Sequence, residues 1–144
     1  MKKLIGIWLV AIVLVACQAS VDYKKVRDEV MSFHDEVMGD HGIIVNNQMK
    51  LDTLMNGLGE LKTRFPELDT IKERKQMVML KENLNRAEED MNDWMHQFEP
   101  DVSGKSNEEA VAYFKKEKLR IAAIDSTYKA EIKRSSAYLN QFKR

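Results

Sequence analysis

Soft donors dominate the side chains capable of chemistry here: three histidines, nine methionines and one cysteine. His34, Met38, Met91 and Met95, with Trp94 as an indole cover, make the metal-ligating combination worth weighing. Thioether and imidazole suit Cu(I) or Ag(I), soft ions of the bacterial envelope, and an indole face attracts a cation. The same methionines also serve as flexible apolar filling between helices. Packing is the favoured reading, with no resident metal or cofactor, and soft-metal binding the alternative. His34 and His41 share a helical face, but seven residues span about 10.5 Å along the axis, too far for one ion. The His-x-x-x-His spacing of zinc sites is absent. Asp35, Glu36 and Asp40 read as a solvated acidic face.

Cys17 carries a different chemistry. Met1-Lys2-Lys3 is a positive leader to Leu4–Ala16, an apolar run of 13 residues that reaches only ~20 Å as a helix, short of a ~30 Å bilayer core. The run closes in Leu14-Val15-Ala16-Cys17, which resembles the bacterial lipobox. Small Ala16 lets a peptidase reach the Ala16–Cys17 bond, and the Cys17 thiol is the nucleophile that accepts diacylglycerol before cleavage. Residues 1–16 are therefore expected to be a removed lipoprotein signal peptide, and 17–20 the lipidated Cys and a short spacer. Loss of Lys2 and Lys3 from 23 basic residues leaves 21 against 23 acidic, a net charge of −2. Attachment must then come from acyl chains, which bind by about 0.8 kcal/mol per buried CH₂. Gln18 lacks the acidic character that commonly retains such proteins at the inner membrane, so the outer membrane, periplasmic side, is the expected address.

Helices have to position everything else. Ser20 is the expected N-cap of a first helix over about 20–58, with Val30, Val37, Met38, Ile44, Val45, Leu51, Met55 and Leu58 along its apolar stripe. Gly39 and Gly42 each weaken a helix interior by about 1 kcal/mol relative to Ala and predict an irregularity around His41. Gly57 to Asp69 loses periodicity and reads as a connection with a helical turn at Leu58 to Lys62. Thr70-Ile71-Lys72-Glu73 has capping-box spacing for a second helix over 70–98. There Met77, Leu80, Leu84, Ala87, Met91, Trp94 and Phe98 alternate by three and four residues, the seam of a helix packed as in a coiled coil. Pro100 ends it. Ser106-Asn107-Glu108-Glu109 caps a third helix over 106–143, with Ala110, Phe114, Ile121, Ile124, Tyr128, Ile132, Leu139 and Phe142 inward.

The expected fold is all-α: an antiparallel three-helix bundle over 20–144 with coiled-coil-like seams. With the first connection centred near Arg64, His34 falls opposite Trp94, Val37 opposite Met91 and Met31 near Gln97. The 99–106 loop should face the bilayer and the loop near Phe65 should point outward. A formal charge of zero argues against a nucleic-acid partner, and the single Cys excludes a disulfide framework. No Gly-rich phosphate loop, nucleophile elbow or Cys/His pair appears, so no catalytic residue is expected and the protein reads as a non-enzyme. Its partners should be the bilayer, through acylated Cys17, and an unidentified envelope protein or a second copy.

Phe33-His34-Asp35-Glu36-Val37-Met38, followed by Ala87-Glu88-Glu89-Asp90-Met91-Asn92-Asp93-Trp94-Met95-His96-Gln97-Phe98, resembles a group of small, uncharacterised bacterial lipoproteins, some labelled "viral A-type inclusion protein". The resemblance covers the anchor and the first two helices and implies helical, lipid-anchored envelope proteins with no assigned reaction. Many of that group carry Pro soon after the His-Asp-Glu-Val-Met stretch, where this chain has Gly39.

Overall fold

Residues 21–143 are described by the computed structural model, so residues 1–20, with Cys17 and the expected Ser20 cap, lie outside the described part. Four helices follow in the order α1 (Tyr23–Asn56), α2 (Leu58–Arg64), α3 (Thr70–Gln97) and α4 (Asn107–Asn140), and they pack against one another. No strand occurs among the described residues. None of their helices is long and apolar enough to cross a membrane.

The helix starts show which local signals prevail. Asp22 caps α1, its carboxylate accepting from Lys24 N at 2.9 Å, so the cap falls two positions after Ser20. The expected Thr70 box does not form. Asp69 is the cap instead, accepting from Ile71 N and Lys72 N at 3.0 and 3.1 Å, and those bonds hold its carboxyl below its ordinary value. Glu73, freed from the box, accepts from Tyr138 Oη at 2.6 Å across the α3–α4 contact. The Ser106 box of α4 is complete: Glu109 N donates to Ser106 Oγ at 3.2 Å and Ser106 N to Glu109 Oε2 at 2.8 Å.

α1 continues as helix through Gly39 and Gly42, and the expected irregularity is absent. Val37 and Ile44, both fully buried, hold that stretch from either side, and their burial outweighs the ~2 kcal/mol propensity deficit of two glycines. The connection is also more ordered than a single turn. α2 extends to Arg64 because Leu58 and Leu61, three apart on one face, are both buried. Phe65 then meets Phe142 edge-on at 5.9 Å between ring centroids, linking the far loop to the end of α4.

Cross-helix pairs fix the directions. Tyr23 N donates to Asn107 Oδ1, Lys118 to Glu29, and Asn47 to Ser135, so α1 and α4 run parallel. Lys81 pairs with Asp52 and His34 lies against Trp94, so α3 runs opposite to α1. Asn107 also donates to Val21 O at 3.0 Å, which seats the 99–106 loop beside the start of α1. The helices end at Asn56, Gln97 and Asn140, short of 58, 98 and 143, since the terminal residues leave helical geometry.

The α3 seam is as expected: Met77, Leu80, Leu84, Ala87, Met91 and Trp94 are buried, and Phe98 is half-buried. On α1 the stripe is displaced. Met38 is 40% exposed and Val45 half-buried, whereas Asn47 is buried. On α4 Ile124, Ile132 and Phe142 are only half-buried, while Glu117, Asp125, Glu131 and Ser135 are buried. Fully buried Leu84 should cost about 2–5 kcal/mol on truncation to Ala. A methyl at Gly39 or Gly42 would meet nothing within 4 Å, so Gly42→Ala should stabilise by about 1 kcal/mol. Urea unfolding of the two variants checks both signs.

Candidate functional site

Trp94 organises the end of the bundle that lies beside the start of α1. It stands on the α3 seam one turn before the helix ends at Gln97, so its ring, only 1% exposed, packs between α1 and α4. A buried indole needs an acceptor for its N–H, and Nε1 donates to Glu117 Oε2 at 3.0 Å. Burying Glu117 would be costly without a cation. Arg120, one turn further along α4, donates to both oxygens of Glu117 at 3.1 and 3.2 Å and to Gln97 Oε1 at 2.8 Å. Phe98 stacks on Trp94 at 4.7 Å, and Tyr113 and Phe114 extend the aromatic cluster to Tyr23.

His34 also lies against the indole, the two ring centroids 6.2 Å apart and tilted by 39°, as their expected level implies. Its Nδ1 lies 3.0 Å from Asp35 Oδ1. Met31, His34, Trp94, Met95, Phe98 and Pro100 together line an open, mainly apolar cleft of about 320 Å³. Of the residues singled out from the sequence, His34, Met95 and Trp94 therefore meet at one cleft. Met91 does not reach its lining and is a core side chain, 1% exposed, and Met38 lies outside it at 40% exposure. Met31, one turn before His34 on the same face of α1, takes the place expected for Met38. Met31 and Met38 each follow a buried seam residue, Val30 and Val37, but Met31 stands about two helical turns nearer the end of α3 that carries Trp94 and Met95.

His41 is separate from this cleft, with Nδ1 3.6 Å from Glu88 Oε1 on α3. Among the described residues no three His, Cys, Asp or Glu side chains gather as a metal-ligating group. No known protein family, curated protein or solved structure matches the chain.

The buried polar groups of α4 are the feature that apolar patterning missed. Glu117 pairs with Arg120, Asp125 with Lys129 and Glu131 with Arg134, three or four residues apart on the same helix. The carboxylates are buried, while the cations stay at the surface on long apolar stems. Among the described residues Asp125 Oδ1 and Glu131 Oε2 have no hydrogen-bonding partner. Lys129 also reaches Glu36 on α1, and hydrogen bonds to Glu36 and Asp125 raise its pKa. Asn47 completes the set, donating to Ser135 Oγ and Ser136 Oγ, both at 2.9 Å. A signal was available: alternating steps of four and three from Ala110 reach Glu117, Glu131 and Ser135, and the same steps from Val26 reach Asn47.

Burial, with nearby Glu88 adding to it, pushes the Tyr128 phenol up to about 12. Burial and the bond to Glu73 raise Tyr138 also. Both phenols are held protonated in the fold but ionise near 10.0 when unfolded. The stability they contribute is intact below about pH 10 and falls as the pH rises from there toward 12. The urea midpoint should thus drop between pH 9 and pH 11. Tyr128→Phe should shrink that drop; an unchanged drop would remove Tyr128 from the explanation.

Proposed function

We propose that the protein is a lipid-anchored bacterial envelope protein, acylated on Cys17, that works as a non-enzymatic helical spacer and interaction module. The observation that carries this reading is the Leu14-Val15-Ala16-Cys17 motif standing three residues before the first described residues of the bundle (Gln18, Ala19 and Ser20 intervene). Such a short spacer holds the Asp22 end of α1 and the adjoining 99–106 loop close to the bilayer, with the signal peptide of residues 1–16 removed. A helix of 34 residues extends about 50 Å, so the α2 loop stands well clear of the lipid headgroups on the periplasmic face of the outer membrane.

The far tip has the character of an interaction surface. Ile71 is 71% exposed, and Lys62, Arg74 and Lys75 line the same shallow depression with Leu58 and Gly59. An exposed β-branched side chain among cations favours a partner that brings apolar and acidic groups together, either another envelope protein or a second copy. Fatty-acid labelling with an alkyne analogue should mark the wild type and not Cys17→Ala; equal labelling would reject the anchor. A photo-crosslinking residue at Ile71 should capture a partner in cells. Repeated recovery of the monomer alone would reject the interaction role.

A further inference from the structure

The geometry points to a binding site for a soft monovalent cation, Cu(I) or Ag(I), in the cleft between α1 and α3, with Met31, His34 and Met95 as ligands and Trp94 as an indole cover. This site does not rest on acylation of Cys17 and goes beyond the spacer role. Four features of the cleft converge on it.

The first is the donor set. Met31 and His34 stand one helical turn apart on α1, Met95 faces them from α3, and all three line one open cleft. Met95 is 38% exposed and Met31 half-buried, so both thioethers lie at the mouth rather than in the core. Two thioethers and one imidazole carry no charge and prefer a large, polarisable, singly charged ion to Zn²⁺ or Mg²⁺. The second is the set of the imidazole. A carboxylate only accepts, so the bond between His34 Nδ1 and Asp35 Oδ1 places the neutral ring's proton on Nδ1 and leaves Nε2 as the ligating nitrogen. Carboxylate–histidine pairs of this kind orient metal ligands and raise their basicity.

The third feature is the indole. Trp94 is clamped by Phe98 on one side and by its N–H bond to Glu117. Donation of that proton to a carboxylate pushes electron density into the ring system, which strengthens the attraction of its π face for a cation. The fourth is the apolar lining. Pro100 and Phe98 wall the cleft where α3 ends, supplying an apolar surround that disfavours strongly hydrated ions.

The test is an anaerobic titration of the full chain carrying Trp8→Phe and Cys17→Ser in detergent micelles, so that Trp94 is the sole indole and the Cys17 thiol cannot compete. Cu(I), added against a competing chelator, should quench Trp94 emission saturably at one equivalent, and Zn(II) should not. Met31→Leu and Met95→Leu should each weaken Cu(I) binding more than about tenfold, and Asp35→Ala, which frees the imidazole, by about tenfold. Met38→Leu and Met91→Leu should leave it unchanged. Circular dichroism melts of the same variants separate ligand loss from unfolding, since Met-to-Leu exchanges cost under about 1.5 kcal/mol. No saturable quenching in the parent chain, or unweakened binding in the Met31→Leu and Met95→Leu variants, overturns the site.

Discussion

A seam position recurs every three or four residues without a break through each long helix, and the rest of the molecule depends on that spacing. On α1 it runs through Val26, Val30, Phe33, Val37, Asp40, Ile44, Asn47, Leu51 and Leu54 to Leu58 at the start of α2; on α3 through Glu73, Met77, Leu80, Leu84, Ala87, Met91 and Trp94. A straight α-helix drifts about 20° per heptad from a seven-residue repeat, so over five heptads a seam would turn by ~100° and leave its partner. Keeping the three seams in contact requires left-handed coiling of the helices around one another. The level pairing that follows brings His34 to Trp94 and Lys118 to Glu29.

Four seam or near-seam positions on α4 are polar, which an economical core would avoid. Glu117, Asp125 and Glu131 each draw a cation from their own helix, so their charge is compensated before any tertiary contact forms. The tertiary contacts then depend on register: Glu117 meets the Trp94 N–H, and Ser135 meets Asn47. A slip of one heptad would separate each of these groups from its partner. Burial of an unpaired polar group costs about 1–3 kcal/mol, more for a charge. The polar rungs thus discriminate among registers that the apolar seam alone would leave nearly equal, as a buried Asn does in a coiled coil.

The two ends of the bundle differ for the same reason. Beside the start of α1, Pro100 ends α3 soon after Trp94, and the large aromatics Trp94, Phe98, Tyr113 and Phe114 cluster there. The cleft lined by Met31 and Met95 opens beside this cluster. At the opposite end Leu58, Leu61 and Phe65 close the core, and the cations Lys62, Arg74 and Lys75 remain outside around Ile71. The cleft of the proposed cation site thus lies at the end nearest the proposed anchor, and the Ile71 surface at the opposite end.

Sequence alone determined the helical class, the α3 seam from Met77 to Phe98, the Ser106–Glu109 cap and the level of His34 against Trp94, because these rest on helical periodicity, a contact within one turn or, for the level, the place of one short connection. It also singled out Cys17, whose motif is local in the chain. Tertiary structure decided what depends on competition between distant groups. Glu73 left its expected cap to bind Tyr138, and Asp69 replaced Thr70. Burial of Val37 and Ile44 carried α1 through two glycines. Met31 rather than Met38 or Met91 joined His34 and Met95: Met31 and Met38 both follow a buried seam valine, but only Met31 stands level with the end of α3, and Met91 is itself in the buried seam. Glu117, Glu131, Ser135 and Asn47 were hidden in a plain four-three count, since polar side chains enter a seam only when a partner on another helix, or a cation one turn along, receives them.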